Sequence, residues 1–98
     1  MNIFYPEEIE KINYKEQILL DVRTKMEHKA HSIENSLHIP IDELRNRLNE
    51  LDKQKDILVY CQVGYRGYVA ARILVQNGFK VKNLSGGFFT YLAYMNKL

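Results

Sequence analysis

The chain has 98 residues, long enough for one compact domain with a core and too short for two, so one domain over residues 1–98 with one site is expected. Hydrophobic residues make up 46% and charged residues 27%, with no low-complexity tract, which excludes an extended disordered chain. Net charge is +2, but residues 1–56 hold nine Lys/Arg and all twelve Asp/Glu, whereas residues 57–98 hold five bases and no acid. The second half is therefore the half that attracts an anion, provided the fold keeps those charges together.

The opening MNIFYPEEIEK lacks the basic and apolar regions of a secretory signal, and no stretch reaches the length of a membrane span. A cytoplasmic location is expected. PEEIEKI (6–12) suits a short helix. QILLDV (17–22) is a nearly continuous apolar run of the kind found in strands buried on both faces. NSLHIP (35–40) is a weaker strand candidate, ended by Pro40. Asp42 then stands where an N-cap is wanted, before Leu44, Leu48 and Leu51 at helical spacing. DILVYC (56–61) is the second continuous apolar run. A helix beginning near Arg66 puts Val69, Ala70, Ile73 and Leu74 on one stripe, with Gly78 at its end. KVKNL (80–84) is another strand, ended by Ser85-Gly86-Gly87, and GFFTYLAYMN supplies a last helix, its aromatic residues a packing face. Strands alternating with helices predict an α/β domain with a parallel sheet and right-handed crossovers.

This order places Cys61, the one cysteine, at the carboxyl end of a central strand, where open α/β sheets hold their ligands. The loop CQVGYR then enters a helix N-terminus, whose free N–H groups stabilise negative charge. Gly64 lets the backbone curl so that several N–H groups face inward as a nest, and such surroundings lower the pKa of a thiol. A lone cysteine is otherwise often an inert core residue. The strand–Cys–Gly–Arg–helix context favours a nucleophile instead. Arg66, five residues beyond, comes within reach of an anion held by the loop, and Gly67 serves close helix packing or the loop.

These residues resemble a known family. CQVGYRG is similar to the active-site loop of single-domain rhodaneses, sulfurtransferases that carry sulfur as a cysteine persulfide. LLDVR (19–23), IENSLHIPIDELRNRL and GFKVKNLSGGFFTY resemble further segments of that family in the right order, notably the rhodanese domain at the C-terminus of some coenzyme A-disulfide reductases. The resemblance implies a three-layer fold, a central parallel sheet of about five strands with helices on both faces. It implies that Cys61 is the catalytic nucleophile and that Gln62, Val63, Gly64, Tyr65, Arg66 and Gly67 form the persulfide-binding loop. Asp21 and Arg23 would support that loop from the neighbouring strand, Asp21 by accepting hydrogen bonds and Arg23 by adding positive potential; a structural ion pair is the alternative. Where the family usually has a glycine–histidine pair and a second glycine, this chain reads HSIENS, and Asn35 can take the turn glycine's place because Asn tolerates positive φ. His28, His31 and His38 are expected to be surface or packing residues.

The function implied is transfer of a sulfane sulfur from a small anionic donor, thiosulfate or a persulfide or polysulfide, to a thiol or cyanide. No metal or organic cofactor is needed, and neither nucleic acid nor membrane is expected as a partner. A flavoprotein disulfide reductase is a candidate partner. The alternatives are a non-catalytic rhodanese-like binding module and a Cys-dependent phosphatase or arsenate reductase. Phosphatase loops place five residues between Cys and Arg, one more than separates Cys61 from Arg66.

Overall fold

A computed structural model describes residues 2–97. Five strands, β1 (Ile3–Phe4), β2 (Gln17–Asp21), β3 (Leu37–His38), β4 (Asp56–Tyr60) and β5 (Val81–Leu84), form one sheet in the order β1-β5-β4-β2-β3. Every neighbouring pair is parallel. Four α-helices, α1 (Lys25–Ala30), α2 (Ile41–Leu44), α3 (Tyr65–Gln76) and α4 (Gly87–Tyr94), and two 3-10 turns, Pro6–Lys11 and Leu48–Glu50, complete the chain.

The two continuous apolar runs form the two central strands, because a strand covered on both faces has no side to expose. Leu20, Ile57 and Val59 point into one core with Leu44, Leu51, Ile73 and Leu74 from α2, the turn after it and α3. Leu19, Leu58 and Tyr60 point the other way, into a second core with Phe4, Ile9, Ile33, Leu84 and Phe88. The result is the expected three-layer α/β arrangement, with helices on both faces of the parallel sheet.

Two elements differ from expectation. Ile3–Phe4 is a strand, paired with Asn83 and Leu84 of β5, where the opening residues suggest only the turn that follows. Asp42 does not cap a helix; Pro40 stands at the N-cap and Asp42 lies in the first turn. The helix expected around Leu44, Leu48 and Leu51 is divided into α2 and a 3-10 turn. Pro40, with φ −57, starts the first piece, and Arg47, at φ −126, breaks the helical path before the second. The three leucines still pack against the first core.

β2 and β4 lie side by side, yet β2 connects onward to β3 on one side and β4 to β5 on the other. The crevice at their carboxyl ends is thus a topological switch point, with Asp21 paired to Tyr60 at its floor.

Candidate active site

Cys61 follows the last residue of β4 and is 1% exposed. The next residues fold back over it, and the Gly64 N–H donates to its Sγ at 3.0 Å. Gly64 sits at φ +111, in the region that residues with a Cβ avoid, and is the N-cap of α3. Tyr65, Arg66 and Gly67 therefore belong to the first turn of α3, so the loop proper is Gln62–Gly64 and the helix starts one residue earlier than the sequence suggests.

The loop is held open toward the sulfur by its outer side. The Phe88 N–H donates to the Cys61 carbonyl at 2.7 Å, and the Phe89 N–H to the Gln62 carbonyl at 3.0 Å, so two of the free donors of the α4 N-terminus are satisfied by the loop. With those two carbonyls taken up by α4, the loop presents the Gly64 N–H to the thiol. A side chain at Gly87 would strike the Cys61 carbonyl at 2.5 Å and the Gln62 carbonyl at 2.7 Å, which explains a glycine at that approach. From below, Asn83 Nδ2 donates to the Gly64 carbonyl at 3.0 Å, so the residue carrying the Sγ donor is pinned on both sides.

Asp21 and Arg23 are both buried, at 0% and 2% exposure. Asp21 accepts from Arg23 Nε at 3.0 Å, Arg23 Nη2 at 2.9 Å, the Arg23 N–H at 2.9 Å and His28 Nδ1 at 2.7 Å. None of these donors belongs to the loop. Burial pushes the Asp21 carboxyl up, but the hydrogen bonds from Arg23 and His28 outweigh it and hold the group below its ordinary value. Arg23 also donates to the His31 carbonyl, lies 4.3 Å from the Phe88 ring centroid, and touches the loop only through Gln62 Oε1 at 3.3 Å. The pair is thus a buried ion pair that reaches the loop through one amide, and not a free carboxylate beneath it.

His28 and His38 stack at 4.3 Å, and His31 meets the Phe88 ring edge-on at 5.0 Å. His38 Nε2 lies 2.8 Å from the Arg23 carbonyl, and since a carbonyl only accepts, that nitrogen carries the proton. The imidazoles brace the ion pair.

Arg66 does not stand free at the mouth. Its two terminal nitrogens donate to the two carboxylate oxygens of Glu27 in α1, at 2.7 and 2.9 Å. Arg66 holds the Glu27 carboxyl down at about 2, and Glu27 in turn raises the Arg66 guanidinium, with the charge of Cys61 a smaller contributor. Among the described residues no group of three or more His, Cys, Asp or Glu could hold a metal ion, and no helix is long and apolar enough to cross a membrane. A groove of about 650 Å³ lies elsewhere, toward the amino ends of β4 and β5, lined by Gln17, Asp56, Phe79 and Lys80 among others, and Cys61 is not in its walls.

Compared with known families, the chain matches the Rhodanese-like domain over residues 5–94. It belongs to that family. The rhodanese domain here is 35% identical over 86 residues to the thiosulfate sulfurtransferase GlpE of Coxiella burnetii, covering 87% of this chain and 80% of the relative. It overlays the crystal structure of reduced Bacillus anthracis CoADR-RHD with a TM-score of 0.91 and 44% identity, covering 99% of this chain and 17% of that one. A NAD-dependent persulfide reductase from A. fulgidus matches with a TM-score of 0.72 and 38% identity, covering 93% of this chain and 16% of that one. This chain thus spans about a sixth of each of those two longer proteins.

Within HSIENS the structure accounts for the replacement of the second glycine. Asn35 adopts φ +68, the conformation for which a glycine is usual. The turn is tied down by Tyr60, whose hydroxyl accepts from the Ile33 N–H at 3.1 Å and lies 3.0 Å from Ser36 Oγ. Ser36 Oγ donates to the Ile33 carbonyl at 2.7 Å, so the Tyr60 hydroxyl must be the donor to Ser36. Burial pushes Tyr60 up to about 12, which keeps that donor in place.

The rhodanese loop also has supports that the sequence does not mark. Asn83 sits in a strand where a polar residue looks like an outward one. Glu27 looks like the capping residue it also is, accepting from the Thr24 N–H at 2.9 Å. The Gly86-Gly87 pair is the one signal of a close approach, and in the sequence it reads only as a strand end.

Proposed function

We propose that this one domain is a sulfurtransferase in which Cys61 carries the sulfur. The observation that supports it best is the Gly64 N–H aimed at Cys61 Sγ at 3.0 Å, within a loop whose carbonyls at Cys61 and Gln62 are taken up by α4. That arrangement stabilises negative charge on sulfur with fixed dipoles and needs no adjacent base. Relatives named as sulfurtransferases support the same class of reaction. The lone, reduced thiol suits a cytoplasmic setting, and longer relatives that join such a domain to a reductase favour a flavoprotein disulfide reductase as partner.

In the proposed cycle the Cys61 thiolate attacks the outer sulfur of thiosulfate, a persulfide or a polysulfide. The sulfur–sulfur bond of the donor breaks, its electron pair leaves with sulfite or a thiolate, and Cys61 becomes a persulfide anion held by the N–H groups of Gln62 to Gly67. A thiol, or cyanide in an assay, then attacks the outer sulfur and frees the Cys61 thiolate. The thiol is nearly inaccessible, which suits a single sulfur atom better than a tetrahedral phosphate. Asp21 and Arg23 keep the end of β2 rigid beside the loop.

Intact mass after brief incubation with thiosulfate or glutathione persulfide tests this reading. A gain of about 32 Da on the wild type, absent from Cys61→Ser and reversed by cyanide, is expected. No gain from any donor, in folded protein whose thiol accepts a small alkylating agent, would favour a non-catalytic binding module instead.

A further inference from the structure

Two guanidinium groups flank the loop after Cys61, Arg23 bonded to Gln62 and Arg66 in the first turn of α3, and each is matched with a carboxylate. Arg23 is closed off by Asp21 in the core, and Arg66 is held at the rim by Glu27 through two hydrogen bonds. The loop between them, Gln62 to Tyr65, carries no charged side chain. Of the cationic half, Arg66 is thus taken up by Glu27, and Arg72, Lys80 and Lys82 line the groove toward the amino ends of the strands. What the loop offers an incoming anion is backbone dipole, with the Gly64 N–H at the sulfur, which stabilises one developing charge but does not neutralise a compact dianion.

We propose that Glu27, reaching across from α1, is a specificity-determining residue that neutralises Arg66 and sets the site against doubly charged sulfur donors in favour of singly charged ones. This rests on the sulfurtransferase reading above. Glu27 makes no bond to the reacting sulfur; it acts through Arg66. Its position is fixed independently of the substrate, because the same carboxylate closes the Thr24 capping box with Glu27 N–H to Thr24 Oγ1 at 3.2 Å and Thr24 N–H to Glu27 Oε1 at 2.9 Å. The clamp is therefore built into the start of α1 and is present before any donor arrives.

Two donors of similar shape separate charge from the rest of the chemistry. Thiosulfate is a dianion; methanethiosulfonate replaces one oxygen anion by a methyl group and is a monoanion. With thiosulfate the Cys61 thiolate takes the sulfane sulfur and sulfite leaves with the electron pair of the broken bond. With methanethiosulfonate the same bond breaks and methanesulfinate leaves. No oxidant or reductant enters either step, and charge is conserved in both.

The experiment compares the kcat/KM ratio of thiosulfate to methanethiosulfonate, with cyanide as acceptor, in four proteins. A ratio measured within one preparation is independent of the fraction folded. Glu27→Gln retains the acceptor for the Thr24 N–H and leaves Arg66 with a net positive charge, so the ratio should rise by about tenfold, the effect of one unit charge at a partly screened distance. Arg66→Gln leaves Glu27 as a bare anion, and the ratio should fall. The double variant restores a neutral pair, and the ratio should return to that of the wild type. Equal changes for both donors in Glu27→Gln would overturn the inference and leave Glu27 a structural cap. Sulfur loading of the wild type by neither donor would remove the sulfurtransferase reading itself, and the inference with it.

Discussion

Gly67 of α3 faces Asn83 of β5, and a Cβ added there would overlap Asn83 Oδ1. That oxygen is buried without a hydrogen-bond partner among the described residues, while the Nδ2 of the same amide holds the Gly64 carbonyl. The amide is thus fixed by contact on one side and by a single bond on the other. Gly67→Ala should cost about 1–3 kcal/mol by overpacking. Asn83→Ala should cost about 1 kcal/mol for the lost bond. The double variant should be less destabilised than the sum of the two, because removing the Asn83 amide vacates the space the new methyl needs. Urea denaturation of the three variants measures this, and strict additivity would show that the two residues do not share the strain. Asn83→Ala should also load sulfur more slowly than its stability loss explains, since the Gly64 donor is no longer pinned from below.

At the scale of elements, α1 is unusual in burying none of its residues, so its hold on the rest of the molecule comes from polar contacts. The Glu27–Arg66 bridge ties it to α3, and the His28–Asp21 contact ties it to β2. Glu27 in the folded protein is held at about 2, below its ordinary 4.5. A depressed carboxyl stabilises the fold above its unfolded pKa and loses that contribution as pH falls through the folded value. The bridge's contribution is therefore complete above roughly pH 5 and disappears toward pH 2. Because about a third of each side chain is exposed, at 32% and 30%, it should amount to about 1 kcal/mol. The stability difference between wild type and Glu27→Gln should be constant from about pH 5 to 8 and shrink below about pH 4.5, as followed by urea melts at each pH. A difference that persists undiminished at about pH 2 would count against the ionised bridge. High salt should also narrow the gap, as it does for exposed pairs.

Across the whole molecule, what could be foreseen followed burial. β2 and β4 were legible because strands covered on both faces are apolar throughout, and α3 because one side of it meets the sheet. The position of Cys61 followed from that order. Elements that owe their form to partners were not legible. Two residues of β1 carry no periodicity and become a strand only beside β5, and α2 is too short for its leucine spacing to distinguish it from a longer helix. The same holds in the site. The Cys–Gly–Arg spacing named the loop, but a charge such as Arg66 looks free until the fold supplies Glu27, 39 residues away, as its partner. Asp21 and Arg23 came to notice through the resemblance of LLDVR to the family, whereas the side on which their hydrogen bonds fall depended on α1.

The recognisable family sequence begins at residue 5, and the three described residues before it look dispensable. They are joined to the sulfur by a short relay. The Asn2 carbonyl accepts from the Asn83 N–H at 3.1 Å, the Asn83 amide holds Gly64 at 3.0 Å, and Gly64 donates to Cys61 Sγ at 3.0 Å. Anyone who trims the protein to its family boundary removes the first link, together with Phe4, which is 1% exposed in the second core. A version starting at Tyr5 should melt at a lower temperature and take up sulfur more slowly than the full chain, while one shortened after Tyr94, at the other family boundary, should keep its sulfur uptake. Where similarity stops is then a poor guide to where this protein can be cut.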